Sequence, residues 1–210
     1  MLSIFCKNAI VERNEAMNSN WFKGVMKAMK IVYGDKLMLT GTPVIYNQKG
    51  ANIVIGRNVT IKSSFLSNLV GLYSRTIIVT RTRGAEIVIG DNVGISGATI
   101  YARKSIHIGD RTCIGGNCKI LDNDFHPIDA KKRNELSLGK VSTTEENAAW
   151  IGTKPIFIGK DCFIGCNTLI LKGSVLEDGC VVGAGAVVSG KFEAWSLIAG
   201  NPAQVIRKLR

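Results

Sequence analysis

The sequence is poor in proline and in acidic side chains. Only 4 prolines accompany 23 glycines among 210 residues, a balance typical of a β-rich fold with many tight turns. The 16 Asp and Glu residues are outnumbered by 27 Lys and Arg residues, so the formal net charge is +11. This excess of positive charge favours acidic partners, such as phosphates, nucleotides, acidic polysaccharides or anionic lipid, without choosing among them.

Long apolar runs are also missing. No stretch approaches the roughly 18 apolar residues of a membrane-spanning helix. The first residues, MLSIFCKNAIVERNEA, interrupt their apolar stretch at Lys7 and lack a small-residue cleavage site. We therefore expect no secretory signal peptide, and a cytoplasmic location. The 46% of hydrophobic residues indicates a globular chain with one sizeable core.

Paired metal-binding cysteines are absent as well. None of the six cysteines forms a C-x-x-C pair: Cys6, Cys113, Cys118, Cys162, Cys166 and Cys180. This spacing argues against a zinc ribbon or a thioredoxin-like redox site, and no metal site is expected.

A six-residue period organises most of the chain. Aliphatic side chains recur every six residues. One position holds a tyrosine, and one residue is skipped directly after it. The positions are Ile89, Ile95, Tyr101, Ile108, Ile114, Ile120, Ile158, Ile164, Ile170, Leu176, Val182 and Val188. The residue four positions later is mostly small, and this column includes Cys118, Cys162 and Cys180. We interpret these three cysteines as packed thiols.

The period has a physical interpretation. Two apolar positions per six residues, separated by Gly, Asn or Asp, predict very short strands joined by tight turns. Three strands close one triangular coil of about 18 residues, and successive coils stack at the strand spacing of roughly 4.8 Å. A helix is excluded, because a spacing of six does not hold one face of a 3.6-residue turn.

Several segments resemble a known family. The runs IGDNVGISGATIYA, IGDRTCIGGNCKI, IGKDCFIGCNTLILKGSVLEDGCVVGAGAVV and AGNPAQVIRK resemble the hexapeptide-repeat acyltransferases over about residues 50–208. The similarity is greatest to their sugar O-acetyltransferase branch, which includes galactoside and maltose acetyltransferases and polysaccharide-locus enzymes. The resemblance implies an all-β, left-handed parallel β-helix. We expect a helical capping segment over residues 1–40 and a β-helix domain over 41–210, with a loop at 122–154 and a tail at 199–210.

A short amphipathic helix is predicted near the N-terminus. Apolar residues lie at helical spacing, and three lysines occupy another face. The apolar set is Phe22, Val25, Met26, Met29 and Tyr33, and the lysines are Lys23, Lys27 and Lys30. The helix either caps the open end of the repeat stack or lies on a membrane surface; membrane contact is possible but not expected.

The polar excursion at residues 122–154 begins near His126. Its Asp-Phe-His-Pro sequence resembles the catalytic His-Pro motif of the family, which implies that His126 is a general base in direct acetyl transfer. Asp122, Asp124, Glu135 or a backbone carbonyl could orient the imidazole. The other histidine, His107, lies at the skip in the repeat and is interpreted as part of a surface bulge.

The resemblance also implies an oxyanion donor and a coenzyme A site. The backbone N–H of Cys166 matches the oxyanion position, and a nucleophilic Cys166 thiol is an alternative. Acetyl-CoA is the expected co-substrate, bound by Cys166, Ala184, Ser189, Arg207 and Lys208. Alternatively, the small residues around Ala184 only pack the β-helix, and the basic tail is only solvated.

The acceptor site is the least determined part. Ser96, Asn123 and Asp124 are candidate sugar-binding residues, and Arg75, Arg81 and Arg83 form a basic cluster in sequence that could meet an anion or be plain surface. The expected function is O-acetylation of a sugar hydroxyl in cell-surface polysaccharide synthesis. The resemblance implies a homotrimer with its sites between subunits, and no nucleic-acid partner is expected. Alternatives are N-acetylation of a nucleotide-linked amino sugar and a non-catalytic scaffold. A zinc carbonic anhydrase on this helix needs three histidines, and the chain has two.

Overall fold

The computed structural model describes residues 20–139 and 149–210. Its strands form three sheets, which we name A, B and C. Sheet A contains β1 (Val32–Tyr33), β4 (Asn52–Ile55), β7 (Glu86–Ile89), β10 (Ser105–Ile108), β13 (Ile156–Ile158), β16 (Val175–Leu176) and β19 (Lys191–Phe192). Sheet B contains β2 (Met38–Thr40), β5 (Thr60–Lys62), β8 (Gly94–Ser96), β11 (Cys113–Ile114), β14 (Phe163–Ile164), β17 (Val181–Val182), β20 (Ser196–Gly200) and β21 (Ala203–Lys208). Sheet C contains β3 (Val44–Asn47), β6 (Ile77–Thr80), β9 (Thr99–Ala102), β12 (Lys119–Leu121), β15 (Leu169–Leu171) and β18 (Val187–Val188).

Each sheet contains every third strand of the chain, so the backbone turns through A, B and C in order. Pairing is parallel throughout except between β20 and β21, where the tail folds back antiparallel. This is the triangular parallel β-helix that the six-residue period predicts, and the predicted fold is confirmed. The first two strands, β1 and β2, come before residue 41, so stacking begins earlier than the expected domain boundary.

Inward aliphatic side chains fill the triangle. The predicted positions Ile89, Ile95, Ile114 and Ile120 are at most 2% exposed. The prediction for Tyr101 was wrong: Ile120 pairs with Ile100 and Leu121 with Tyr101, so Ile100 points inward. The repeat is locally shortened to five residues there, and the tyrosine faces outward.

Small polar side chains close one corner of the triangle from inside. Thr112, Cys162, Cys180 and Ser196 occupy equivalent positions at the start of successive strands of sheet B, and each is at most 2% exposed. The Cys162 thiol donates to the Glu177 carbonyl at 3.3 Å, and the Cys180 thiol to the Glu193 carbonyl at 3.3 Å. Cys118 is also fully buried and donates to the Gly165 carbonyl. The predicted inward position of these three thiols is confirmed.

The N-terminal helix contacts the core. Residues 20–28 are helical and form α1. Met26 is 0% exposed within the core cluster, and Phe22, Met29 and Tyr33 pack against it. Tyr33 itself belongs to β1 and not to the helix. Among the residues that the structure describes, no helix is long and apolar enough to cross a membrane.

Two excursions leave the β-helix at different corners. The first, which we call the apolar loop, spans residues 63–76 between β5 and β6, at the corner between sheets B and C (the B/C corner), and includes the 3-10 turn Phe65–Ser67. The second, the histidine loop, spans residues 122–154 at the C/A corner and includes helix α2 (Ala130–Ser137). Residues 140–148 of the predicted excursion lie outside the described residues.

His107 is not part of a bulge. It lies within β10, paired in regular register with Val88 and Phe157, and its Nε2 is 3.5 Å from Glu86 Oε2. The interpretation of a surface bulge was wrong, because residue 107 pairs in regular register. The period is irregular on both sides of Ile100, with five residues from Ile95 to Ile100 and eight from Ile100 to Ile108.

Candidate functional site

His126 is held on a tight, strained turn. Phe125 has a φ of 61°, in the left-handed region. The His126 N–H donates to the Asp124 carbonyl at 2.6 Å, and the Phe125 N–H donates to Asn123 Oδ1 at 2.9 Å. A left-handed aromatic residue costs about 1–3 kcal/mol and persists only where its surroundings enforce it. The fold therefore maintains the exposed position of His126 against a local cost.

Neighbouring groups fix this turn from two sides. The Phe125 ring contacts Tyr101 on sheet C, with ring centroids 4.9 Å apart. On the other side, Arg133 of α2 donates to the carbonyls of Pro127 at 3.0 Å and Ile128 at 2.9 Å. The backbone around the histidine is thus anchored to both the β-helix and α2.

The His126 side chain is exposed and makes no hydrogen bond to another described residue. Of the candidates that could orient it, Asp122 is fully buried and accepts from the backbone N–H groups of Arg103 at 2.8 Å and Lys104 at 2.6 Å. Burial raises the pKa of Asp122, and these hydrogen bonds oppose that rise. Asp122 therefore closes the C/A corner and does not bind the imidazole. Glu135 lies on α2, without a hydrogen bond to His126 among the described residues.

Asp124 and Asn123, predicted to bind acceptor, are engaged within the chain. Asp124 forms an ion pair with Lys172, and the Asp124 N–H donates to the Gly152 carbonyl at 3.0 Å. The buried Oδ2 of Asp124 has no hydrogen-bond partner among the described residues. Asn123 is 5% exposed; its amide group donates to Asp122 and its oxygen accepts from Phe125. The structure therefore gives Asn123 a turn-stabilising position.

Cys166 lies at the B/C corner, directly above Ala184 of the next coil. A Cβ on Gly165 would be 2.5 Å from the Ala184 nitrogen, so only glycine allows this stacking. The Cys166 carbonyl accepts from Gly185 at 2.9 Å, whereas the Cys166 N–H donates to no other described residue. Ala184 and Gly185 are exposed. This corner presents a free backbone donor beside a surface of small residues.

The apolar loop borders the Cys166 corner, which sequence reasoning missed. The Tyr73 hydroxyl donates to Asn167 Oδ1 at 3.2 Å, and Asn117 Nδ2 donates to the Gly71 carbonyl at 2.9 Å. The loop exposes large apolar side chains: Phe65, Leu66, Leu69, Val70 and Tyr73. In the sequence, this loop could have been identified from the loss of the six-residue period over residues 63–76.

Ser96 also belongs to the B/C corner, two coils before Gly165. Its hydroxyl accepts from Asn68 of the apolar loop at 3.1 Å. Ser96 lines a cavity of about 260 Å³ on the outer face of sheet B, together with Lys62, Cys113 and Phe163. Ser96 is thus grouped with Cys166 and not with His126.

The predicted site residues separate into two groups within one chain. His126, Asn123 and Asp124 follow β12 at the C/A corner, and Cys166 precedes β15 at the B/C corner. Lys172, which reaches Asp124, comes six positions after Cys166. At roughly 3.3 Å per extended residue, the two corners are at most about 20 Å apart, with the three residues of β15 between them. One chain alone does not bring the histidine to the Cys166 N–H.

The remaining cofactor candidates are dispersed. Ser189 is exposed at the C/A corner after β18. In β21, Lys208 forms an ion pair with Glu193 at 2.7 Å, and the Arg210 guanidinium lies 3.6 Å above the Trp195 ring. Arg207 is exposed and has no carboxylate partner among the described residues, which leaves it as the available cation of the tail.

The arginines of the predicted basic cluster also separate. Arg75 is in the apolar loop at the B/C corner, whereas Arg81 and Arg83 follow β6 at the C/A corner. The interpretation of one cluster was wrong, because β6 carries the chain across the whole width of sheet C between them. In the described ranges, no group of three His, Cys, Asp or Glu residues could hold a metal ion.

Comparisons with known proteins agree with this architecture. The bacterial transferase hexapeptide family (six repeats) matches residues 155–190. A Schizosaccharomyces pombe protein named an acetyltransferase is 32% identical over 105 residues, which are 50% of this chain and 44% of that protein. The chain therefore spans less than half of that relative's length.

Solved structures share the fold. The N-acyltransferase AntD of Bacillus cereus, in complex with dTDP and 3-hydroxybutyryl-CoA, superposes with a TM-score of 0.63 at 20% identity, over 90% of this chain and 88% of AntD. A hexapeptide-repeat acetyltransferase of Vibrio cholerae, complexed with acetyl coenzyme A, has a TM-score of 0.50 at 19% identity, over 96% and 88% of the two chains. The repeat and the fold therefore confirm the predicted similarity of this chain to the hexapeptide-repeat acyltransferases.

Proposed function

We propose that this protein is an acetyl-CoA-dependent O-acetyltransferase that acts on a sugar hydroxyl, with His126 as general base. The observation that carries the proposal is the placement of His126 on an anchored, strained turn, with its imidazole exposed and free of partners among the described residues. The named acetyltransferase relative supports the same reaction class.

The active site is proposed to form between two copies of the chain. The C/A corner of one copy supplies His126, and the B/C corner of its neighbour supplies the Cys166 N–H and the surface at Ala184. This arrangement follows from the separation of the two corners within one chain, and a homotrimer provides three such sites. The exposed side chains of the apolar loop would lie near this junction and help to exclude water.

The residues present fit an acetyl-CoA co-substrate. Ala184 and Gly185 leave the B/C corner open to a close approach of a narrow chain. Arg207, which has no carboxylate partner among the described residues, provides a cation for a phosphate. Acetyl-CoA, when bound, supplies an activated thioester carbonyl. Ser189 lies at the other edge of sheet C, so its contact with the same molecule would also require the neighbouring copy.

The chemistry then follows from these groups. The neutral His126 imidazole accepts the proton of the acceptor hydroxyl as its oxygen bonds to the acetyl carbon, a role that contributes about 10²–10⁴-fold to the rate. The Cys166 N–H donates to the carbonyl oxygen as negative charge develops there. When the carbon–sulfur bond breaks, the imidazolium returns the proton to the sulfur, and no net proton is released.

An acceptor screen tests this proposal. Purified protein is incubated with acetyl-CoA and a panel of sugars, polysaccharide fragments and amino sugars, and free CoA thiol is measured. The expected result is acceptor-dependent CoA release, with an alkali-labile ester in the product. An alkali-stable amide formed only on amino sugars would establish N-acetylation instead. Absence of both release and CoA binding would favour a non-catalytic scaffold.

A further inference from the structure

Two arginines lie beside the histidine turn, and neither has a salt-bridge partner among the described residues. Arg103 follows β9 and Arg81 follows β6, so they occupy equivalent positions at the C/A corner in successive coils. The Arg81 N–H donates to the Ala102 carbonyl at 2.8 Å, which fixes this stacking. Because coils repeat at about 4.8 Å, Arg103 is one coil and Arg81 two coils from the turn that carries His126.

The Arg103 guanidinium is incompletely satisfied. Its Nε and Nη1 atoms are buried and have no hydrogen-bond partner among the described residues. Buried polar atoms are nearly always paired in native proteins, and leaving a charged donor unpaired is costly. Burial lowers the pKa of Arg103 and repulsion from Arg81 adds to that change, whereas interaction with Tyr101 and attraction to Asp122 oppose it. Two donors of this guanidinium thus stay unpaired within the described part of the chain.

The nearby carboxylates do not fill this role. The Asp122 oxygens accept from the N–H groups of Arg103 and Lys104 and from the Asn123 amide group. Asp124 is paired with Lys172. Neither arginine forms a salt bridge within residues 20–139 and 149–210.

Aromatic rings flank the two cations. The Arg81 guanidinium lies 5.8 Å from the Tyr46 ring centroid. Tyr101 interacts with Arg103, and it contacts the ring of Phe125, which precedes His126. A guanidinium fork matches the oxygens of a phosphate or a carboxylate, and aromatic faces suit a sugar ring or a base. The cluster therefore has the composition of a binding surface for an anionic sugar.

We propose that Arg81 and Arg103 form an anion-binding subsite that selects acceptors carrying a phosphate or a carboxylate close to the hydroxyl that is acetylated. The proposal rests on the proposed function of His126, and it names the substrate class for that site. Neutral sugars would then be poor acceptors, and the +11 net charge would assist the approach of the anionic substrate.

Equilibrium binding tests the subsite without relying on catalysis. The His126→Ala variant is titrated with glucose 1-phosphate, with glucuronate and with glucose, and dissociation constants are measured by calorimetry. We expect at least one of the two anions to bind with an affinity at least ~10-fold higher than that of glucose, since one charged hydrogen bond raises affinity about 10- to 100-fold. The two anions distinguish phosphate from carboxylate recognition. Equal affinity for all three ligands would overturn the proposal.

Matched variants assign the effect to the two arginines. Arg103→Gln and Arg81→Gln should each abolish most of the preference for the anion, Arg103→Lys should retain part of it, and Arg83→Gln, which removes an exposed charge at the same corner, should have no effect. Sedimentation and thermal melting are measured on each variant. If Arg103→Gln dissociated the oligomer while the intact Arg81→Gln variant kept the preference, the guanidiniums would pair with a neighbouring copy and the proposal would be wrong.

The two proposals fail separately. If the wild-type protein bound glucose 1-phosphate or glucuronate through Arg81 and Arg103 but transferred no acetyl group to any acceptor, the proposed function would fail and the subsite would stand. If acetyl transfer proceeded equally well to neutral and anionic sugars in wild type and in Arg103→Gln, the function would stand and the subsite would be refuted.

Discussion

His126 and Cys166 lie at opposite edges of sheet C, in the coils that contain β12 and β15. The histidine follows the third strand of its coil, whereas the cysteine precedes the third strand of the next coil. Since both strands cross the sheet in the same direction, the two residues cannot meet within one chain. The separation gives the proposed chemistry a strong structural requirement: two copies must contribute to each site.

The first prediction concerns the base. His126→Ala should lower kcat by at least ~10², because general base catalysis contributes that much, with little change in the dissociation constant of acetyl-CoA. Steady-state kinetics and direct CoA titration measure the two quantities. His107→Ala is the matched control, since this side chain faces outward on β10, and it should keep wild-type kcat. Survival of activity within a few-fold in His126→Ala would exclude His126 as the base.

Much of this architecture was predictable from sequence. The six-residue period identified the coils, the inward thiols and the excursion that begins at residue 122, because each inward position must be aliphatic or small to fit the triangle. The period misplaced Tyr101, because Ile100 and Tyr101 are both apolar and only strand register distinguishes them. The position of the apolar loop depends on hydrogen bonds with Asn117, which donates to Gly71, and with Asn167, which accepts from Tyr73; both asparagines are far away in sequence.

The partners of the polar residues could not be predicted in the same way. Asn123 and Asp124 are close to His126 in sequence, but their side chains are used by Phe125 and Lys172. Arg103 carries no sequence motif, and its importance follows only from its burial and its missing partner. The separation of His126 from Cys166, by contrast, could have been found by counting strands, since each residue's corner depends only on its place in the coil.

The second prediction separates the Cys166 amide from its thiol. Cys166→Ala should retain kcat within a few-fold, because the backbone N–H that is proposed to stabilise the oxyanion remains. Intact-protein mass spectrometry during turnover should show no acetylated enzyme. A loss of more than ~10² in kcat, together with an acetyl adduct on wild-type Cys166, would instead indicate covalent catalysis by the thiol.

The third prediction concerns the tail. Arg207→Ala should raise KM for acetyl-CoA several-fold with a smaller change in kcat, because a phosphate contact far from the thioester binds ground state and transition state alike. The effect should shrink at high salt. Arg83→Ala serves as a charge control. The variant should also lose any preference for acetyl-CoA over the analogue that lacks the 3′-phosphate. If it prefers acetyl-CoA as strongly as wild type does, another cation binds that phosphate.

The fourth prediction concerns the buried thiols. Cys118, Cys162 and Cys180 should resist alkylation in the native protein, while Cys113, which is exposed, should react. Burial raises the pKa of Cys118 to about 11, so its thiolate stays a minor species at pH 8. The neighbouring Cys162 thiol lowers the pKa of Cys180, yet Cys180 is fully buried and reaction requires opening of the coil. Rapid labelling of these three thiols without unfolding would contradict the packing.

The shared site is tested most directly by mixing two inactive variants. Ala184→Trp should block the Cys166 corner, with Ala184→Ser as its tolerated control, and His126→Ala removes the base. In mixed oligomers that are unfolded and refolded together at equal ratio, about a quarter of the sites should combine an intact histidine with an intact corner, as expected for random assembly in a cyclic oligomer. Acetyl transfer to the acceptor should therefore recover to about that fraction of wild type. No recovery, in mixed oligomers verified by native mass spectrometry, would show that each site lies within one chain and would contradict the account.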